Sequence, residues 1–352
     1  MLATFKGGIH PYDGKDLSKD KSITVLKPKG EMVFPVQQHI GNPAKPCVAK
    51  GDHVLVGQVI AVADGLISAN IISSVSGTVK AVEKRLTVTG EMTMSVVVDS
   101  DDEFTTVEGF GVSRDYTKLS KNEIRTIIKD AGIVGMGGAG FPTHVKLTPK
   151  DDSKIDYVII NGAECEPYLT SDYRIMVEEP EKIIAGLKIQ LKLFENAKGI
   201  IAIEDNKPEA INKIKELVKE EANIEVFVLK TKYPQGGERV VISAVTGRKI
   251  NSKMLPADVG CIVTNVDTAV AIYMAVCKST PLIRRVVTIS GDAVTEPNNF
   301  SVPCGISFEE LLEAAKGCAN QPEKIISGGP MMGKALFSLQ VPVMKTTSAL
   351  LC

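Results

Sequence analysis

Residues 157–174 read YVIINGAECEPYLTSDYR. The opening YVII is apolar without a polar interruption, the pattern of a strand buried on both faces, and such strands belong to parallel sheets covered by helices. The stretch that follows alternates in the same way. Pro180 opens a helical run over 181–196, 199–204 is a second strand, Pro208 opens a helix over 209–221, and 224–229 is a third strand. Proline suits a first helical position because its missing N–H would be unpaired there anyway. Strand, helix, strand, helix, strand predicts a parallel α/β sheet. Ligands of such sheets bind beyond the carboxyl ends of the strands. Asn161, Glu164 and Glu166 stand at that position, where carboxylates accept hydrogen bonds from ribose or ribityl hydroxyls. The plainer reading makes Glu164 and Glu166 a solvated loop face paired with Arg174.

Upstream, Ser120 and Glu123 form a capping box, Ile124, Ile127, Ile128 and Ala131 recur at helical spacing, and Gly132 is placed as a helix-ending glycine. Then comes GMGGAG, residues 135–140. A helix rather than a strand precedes it, which disfavours the ordinary dinucleotide fingerprint. Four glycines in six residues still let backbone approach a planar ring or a phosphate closely. A tight packed turn is the competing reading. Phe141 and Lys146 add an aromatic face and a cation, which suits a cofactor carrying a ring and a phosphate. Downstream, Tyr233, Gly236, Gly237 and Glu238 close the third strand and open a helix, whose N–H groups favour an anion. In VTNVDTA, residues 263–269, Asn265 is placed to hold a polar ring edge. Each of these segments also reads as a plain turn or cap.

Around this α/β unit, assigned to 113–280, lie different textures. Residues 31–112 hold short β-prone runs separated by glycines and charges, which predicts a small all-β unit. Within it, GDHVLVGQVIAVADGLISANIISSVSGTV (51–79) resembles the lipoyl and biotinyl domains, but no lysine lies between Gly57 and Gly77 to carry a prosthetic arm. A docking role is the better reading. Residues 1–30 carry charges and turn formers with little periodicity. Residues 281–340 predict a small α+β module with a helix capped by Ser307 and Glu310, and 341–352 carry no cap or tail composition.

The 352 residues have a formal net charge of -1, 44% hydrophobic and 24% charged residues, and no Trp. That is the composition of a globular protein with no electrostatic or stacking platform for nucleic acid. The seven cysteines include no C-x-x-C pair, and six of them read as small buried hydrophobes. The amino-terminal residues lack an apolar signal core. The most apolar stretch, 254–276, is broken by Asp258, Asn265 and Asp267, which argues against a membrane span of its own. A cytoplasmic location is expected. The four histidines (His10, His39, His53, His144) have no metal-pair spacing, and no hydrolytic triad signature is present.

In order along the chain come GGAGFPTHVKL, NGAECEPYLTSDYR, YPQGGER, TGR, LPADVG and TNVDTA. Together they resemble the NADH-oxidising flavoprotein subunit of respiratory complex I, whose glycine loop reads GRGGAGFP. With TFKGGIHP (4–11), QHIG (38–41), PCVAKGDHVLVGQ (46–58) and GGPMMG (328–333) the chain is more similar still to the C-subunit (RnfC) family of Rnf electron transport complexes. The resemblance implies a barrel-sandwich domain, a Rossmann-like FMN-binding domain and a β-grasp (SLBB) module. A ferredoxin-like domain with two [4Fe-4S] clusters would come next, so the sequence reads as cut before it. By position, Gly135, Gly137, Gly138, Ala139 and Gly140 would line FMN, with Lys146 near its phosphate. Asn161, Thr264 and Asn265 would hydrogen-bond its ring or ribityl chain. Glu166, Gly236, Gly237 and Glu238 would flank NADH, and Phe141 would contact its bases. Ala163 and Gly237 stand where the complex I subunit has acidic residues, each removing a hydrogen-bond acceptor.

The activity implied is hydride transfer between nicotinamide and FMN, with electrons exchanged with the clusters and ion movement left to other subunits. Implied partners are the other Rnf subunits, including the ferredoxin-like iron–sulfur subunit, at the cytoplasmic face of the membrane. Two alternatives are the cobalamin reductase of bacterial microcompartments, which shares the architecture, and a docking subunit without flavin.

Overall fold

The computed structural model describes residues 3–352. At its centre is a four-stranded, all-parallel sheet in the order Ile224–Leu229, Lys198–Glu204, Tyr157–Gly162, Cys261–Asn265. The first strand in sequence is flanked by the second on one side and the fourth on the other, so the chain reverses direction across the sheet between Tyr157–Gly162 and Cys261–Asn265. Alternate residues serve opposite faces. Val158, Ile160, Ile201, Ile203 and Ile262 face one helical layer, and Ile159, Ile200, Ala202 and Val263 face the other. The first layer contains helices Pro180–Leu191 and Val266–Lys278. Gly186 lets these two meet, since a side chain there would strike the Ala269 carbonyl. Helix Glu238–Thr246 covers the second face through Val241 and Ile242.

The capping box at Ser120 is present, and helix Lys121–Asp130 ends with Gly132 at φ 63°. Two helices stop short of their expected ends, at Leu191 and Leu217 rather than 196 and 221. Beyond Leu191, Leu193 and Phe194 turn inward and are buried, so tertiary burial rather than helical periodicity places them.

The all-β unit is two antiparallel sheets, one of Glu31–Pro35, Met92–Ser100, Gly77–Leu86 and His53–Val54, the other of Lys45–Pro46, Val59–Val62 and Ile71–Ile72. The carboxyl-terminal module is a six-stranded mixed sheet carrying helix Phe308–Ala314. These two units share one apolar core, in which Met32, Phe34 and Val98 pack with Val287, Phe300 and Phe308.

Two boundaries read from the sequence shift. Residues 341–352, read from the sequence as the start of a segment leading to the ferredoxin-like domain, belong to the last module, because Ala349–Leu351 runs parallel to Arg284–Ser290 inside the six-stranded sheet. Residues 3–30, read from the sequence as part of an amino-terminal extension, contribute Thr24–Val25, the edge of that same sheet beside Asn298–Pro303. No helix among the described residues is long and apolar enough to cross a membrane.

Candidate functional site

The reversal point of the parallel sheet sets Asn161 directly opposite Asn265 at the carboxyl ends of two adjacent strands. A crevice outside the strand ends at such a point is where open α/β sheets bind ligands. Asn265 caps helix Val266–Lys278 by accepting from the Asp267 N–H at 2.8 Å, while its amide donates to Asp172 at 2.6 Å. Asn161 donates to the Gly236 carbonyl at 2.8 Å, tying the first strand to the loop after the third.

The glycine loop lies over Asn265. Gly135 N–H donates to the Phe141 carbonyl at 2.8 Å and closes the loop. Gly137 has φ 75°, and a Cβ there would lie 3.0 Å from the Asn265 amide. Gly140, at φ 72°, rests on Thr346 and on the backbone of Gln38 and His39, so the QHIG segment supports the loop from below. Between these anchors Gly138 faces open space, with no atom within 4 Å of the place a Cβ would take. Gly137, Gly138 and Ala139 are exposed, and Phe141 beside them is half-buried. Lys146, one helical turn on, donates to the Val263 carbonyl at 2.7 Å and to Glu238 at 2.8 Å. Glu238 begins the helix whose N-cap is Gly237. Lysine, acidic residue and helix start are therefore at one edge of the crevice.

The opposite edge is the loop 163–170. The Glu164 carboxylate is buried and accepts from the Asp172 N–H at 2.7 Å. Its charged neighbour is Lys15 at 3.7 Å. Arg174 pairs instead with Glu178 at 2.7 Å, so the reading of a solvated face paired with Arg174 does not hold. Burial pushes the Glu164 carboxyl above its usual range, against the pull of Lys15 and Lys207. Burial, then Glu164 and Asp267, push Asp172 up to about 7. Glu166 accepts from the Met331 N–H at 3.1 Å, and burial raises its carboxyl too. Gly329 packs directly on that carboxylate, where a side chain would collide. The GGPMMG segment of the last module is therefore part of this edge. Tyr233 exchanges backbone hydrogen bonds with Ile9 at 2.9 Å in both directions.

The Thr264 side chain points away from the crevice. Its hydroxyl is buried and bonded to Gln190 at 3.0 Å, on the helix side of the sheet. Segments 236–238 and 263–265 are joined to the crevice by Asn161, through Gly236, and by Lys146, through Glu238 and Val263. Lys15, Lys207, Asp172 and the 329–331 turn are contributors that sequence reasoning does not single out. TFKGGIHP and GGPMMG are visible as motifs, but nothing local says that they reach the crevice. A separate surface cleft of about 450 Å³, between Lys121, Arg125 and Asp152, lies by the amino ends of the strands, so concavity alone does not mark the site.

Of six buried polar side-chain atoms without a hydrogen-bond partner among the described residues, four belong to Thr143, Glu164, Glu166 and Gln235. Buried polar groups are rarely left unpaired, and these four belong to the start of helix Thr143–Lys146 after the glycine loop, to loop 163–170 and to the loop before Gly236. An open glycine cradle, donors from two asparagines and unpaired polar atoms fit a flat, hydrogen-bonding cofactor with an anionic tail.

Comparison with known proteins agrees. Residues 128–274 match the Nuo51 FMN-binding domain, residues 3–103 the RnfC barrel sandwich hybrid domain, and residues 286–335 the SLBB domain. Over 351 residues the chain is 46% identical to the C subunit of the proton-translocating ferredoxin:NAD(+) oxidoreductase complex of Clostridium ljungdahlii, spanning 100% of this chain and 77% of that protein. It is 42% identical to the C subunit of the Na(+)-translocating complex of Acetobacterium woodii, spanning 99% and 79%. The chain belongs to the C-subunit (RnfC) family of ferredoxin:NAD(+) oxidoreductase complexes. An NAD+-reducing [NiFe]-hydrogenase is similar in fold, with TM-score 0.55 and 20% identity over 68% of this chain and 47% of that one. In this RnfC-family chain the matched FMN-binding domain contains the glycine loop and loop 163–170, whereas Lys15 and the 329–331 turn come from outside it.

Proposed function

We propose that this RnfC-family chain binds FMN on the glycine loop and NADH beside it, and serves as the nicotinamide-linked flavoprotein of a membrane-associated ferredoxin:NAD oxidoreductase. The observation that carries the reading is the open space over Gly138, set above Asn265 at the reversal point of the sheet. FMN bound there would supply hydride exchange with nicotinamide and single-electron exchange with [4Fe-4S] clusters, which would lie outside these 352 residues.

The chain's own part is binding and orientation. Gly137 and Gly138 would present bare backbone, and Ala139 a single methyl group, to the flavin. Asn161 and Asn265, already fixed by Gly236 and by the helix cap, hold polar atoms at the crevice floor. Lys146 provides the cation for a phosphate, exchanging its contact with Glu238 for it. Glu166, with one oxygen unpaired, is an acceptor for the nicotinamide side, next to Tyr233, Gly236, Gly237 and Phe141. Burial pushes the Cys165 thiol up to about 11. The other subunits of the complex, an iron–sulfur subunit among them, and a peripheral position at the cytoplasmic face of the membrane belong to this proposal.

Anaerobic titration of the FMN-loaded protein with NADH tests it. Bleaching of the flavin's visible absorption is the expected result. Failure to bind FMN would overturn the reading, and bound FMN that NADH cannot bleach would overturn its nicotinamide half.

A further inference from the structure

We propose that Lys15 is a positioning residue for nucleotide binding. It reaches in from the amino-terminal strap and holds loop 163–170 in the shape that presents Glu166. The inference rests on the flavin–nicotinamide reading above, and concerns a residue outside the matched FMN-binding domain.

The loop is a strained piece of backbone. Glu164 and Tyr168 have φ 48° and 66°, left-handed conformations that side-chain-bearing residues seldom adopt. Such strain persists only where the surroundings impose it, and it gathers at functional sites. Here the imposing group is an ammonium. Lys15 is 8% exposed, and its Nζ donates to the carbonyls of Glu164 and Glu166 at 3.0 Å each and to that of Leu169. An ammonium has three protons to donate, and all three go to this one loop. The carboxylate of Glu164 at 3.7 Å balances the buried charge.

Both ends of the contact are fixed. Tyr168 N–H donates to the Asp13 carbonyl at 2.6 Å, and the Ser18 and Thr170 hydroxyls are 2.7 Å apart. Gly14, at φ 57°, lets the strap pass under the Tyr168 ring, which a Cβ would meet at 2.6 Å. Without the ammonium, three carbonyls lose their partner while the strain remains. The loop then relaxes and takes Glu166 with it. The glycine loop holds none of these bonds, and Asn265 meets loop 163–170 only through Asp172 and the Glu164 carboxylate, so FMN stays seated.

The test is Lys15→Met in the full-length protein, read as flavin content, melting temperature, and KM and kcat for NADH with an artificial electron acceptor. The expected result is normal FMN content with KM raised at least about tenfold and kcat within about threefold, the pattern of lost binding common to ground and transition states. Unchanged KM in folded protein, or parallel loss of FMN and nucleotide, would overturn the proposal. Should Lys15→Met fail to fold, Gly14→Ala keeps the lysine and displaces the strap, and must raise KM with flavin content intact. A normal KM in that variant overturns the proposal equally. Failure of the wild type to oxidise NADH at all would instead sink the functional reading on which this one rests.

Discussion

The glycine loop 135–140 and the acidic loop 163–170 flank the same strand ends, yet they are finished in opposite ways. The glycine loop is packed from below, by His39, Gln38 and Thr346 against Gly140, and bare on top. The acidic loop is filled from every side by the chain itself. Lys15 reaches it from the strap, Lys207 donates to the Ala163 carbonyl at 2.7 Å, and Met331 N–H holds Glu166. A bare, supported surface can accept a flat ligand without moving. A loop already engaged in its own contacts must exchange some of them. The difference assigns a preformed ring seat to the proposed flavin side, where only Lys146 has a contact to exchange, and a seat already engaged with its own chain to the proposed nicotinamide side.

The sharpest way to break this contrast is Gly138→Val. A Cβ there meets no atom within 4 Å, so the folded protein has no reason to object. Its melting temperature should stay within about 2 °C of wild type, the range of a neutral surface change. The branched side chain would occupy the space proposed for the ring, and FMN affinity should fall about a hundredfold or more. Absorbance titration with FMN and a thermal melt give both readings. Wild-type affinity in the variant would show that the bare side is not the flavin seat. On the other edge, Glu166→Gln keeps an acceptor for Met331 N–H but removes the charge. It should leave FMN affinity unchanged and raise KM for NADH about tenfold, the loss of a charge-assisted hydrogen bond. Steady-state kinetics with bound flavin quantified decide it, and a matching loss of FMN would mean that the two edges are not separate.

How much of this is legible in the sequence follows the range of the interactions. The central sheet is readable because buried parallel strands announce themselves within a few residues, and Pro180 and Pro208 mark the helices locally. That Asn265 ends a strand and that Glu166 follows one is readable from the strand pattern itself. Lys15 is not, since its partners lie about 150 residues away and a lone lysine in a polar stretch looks like any solvated charge. The same holds for Gly329, whose packing on Glu166 is a tertiary fact. Thr264 fails in the other direction. Strand alternation determines which side a residue faces, and Thr264 stands one residue out of step with Asn265.

The supported side of the contrast can be probed by pH. Lys345 is 1% exposed beneath the glycine loop, held by the carbonyls of Asn70 and Gly132, and burial pushes its ammonium from 10.5 down to about 8. Between pH 8 and 10.5 the unfolded chain binds this proton and the folded one does not, so stability rises with pH across that window. The full span amounts to about 3 kcal/mol at ~1.36 kcal/mol per unit. Lys345→Met should remove this slope, so that the melting temperature of wild type minus variant grows from about pH 7.5 to about pH 10. A constant difference would show that the lysine is not buried as a cation under the loop.

The smallest effect is expected at Thr264, and it separates position from orientation. The residue lies next to Asn265 at the end of the fourth strand, which by position puts it at the crevice. Its hydroxyl, however, bonds to Gln190 at 3.0 Å within the helix-facing core. Thr264→Val keeps the shape and deletes that one bond, leaving Gln190 Oε1 unpaired, at a cost of about 1–3 kcal/mol in stability. FMN affinity should stay within about twofold of wild type, because only the Thr264 backbone can reach the ligand. Denaturant unfolding beside FMN titration measures both quantities on one preparation. A selective loss of flavin with unchanged stability would mean that the hydroxyl turns toward the crevice when the cofactor arrives. The bare side would then be less preformed than its glycines suggest.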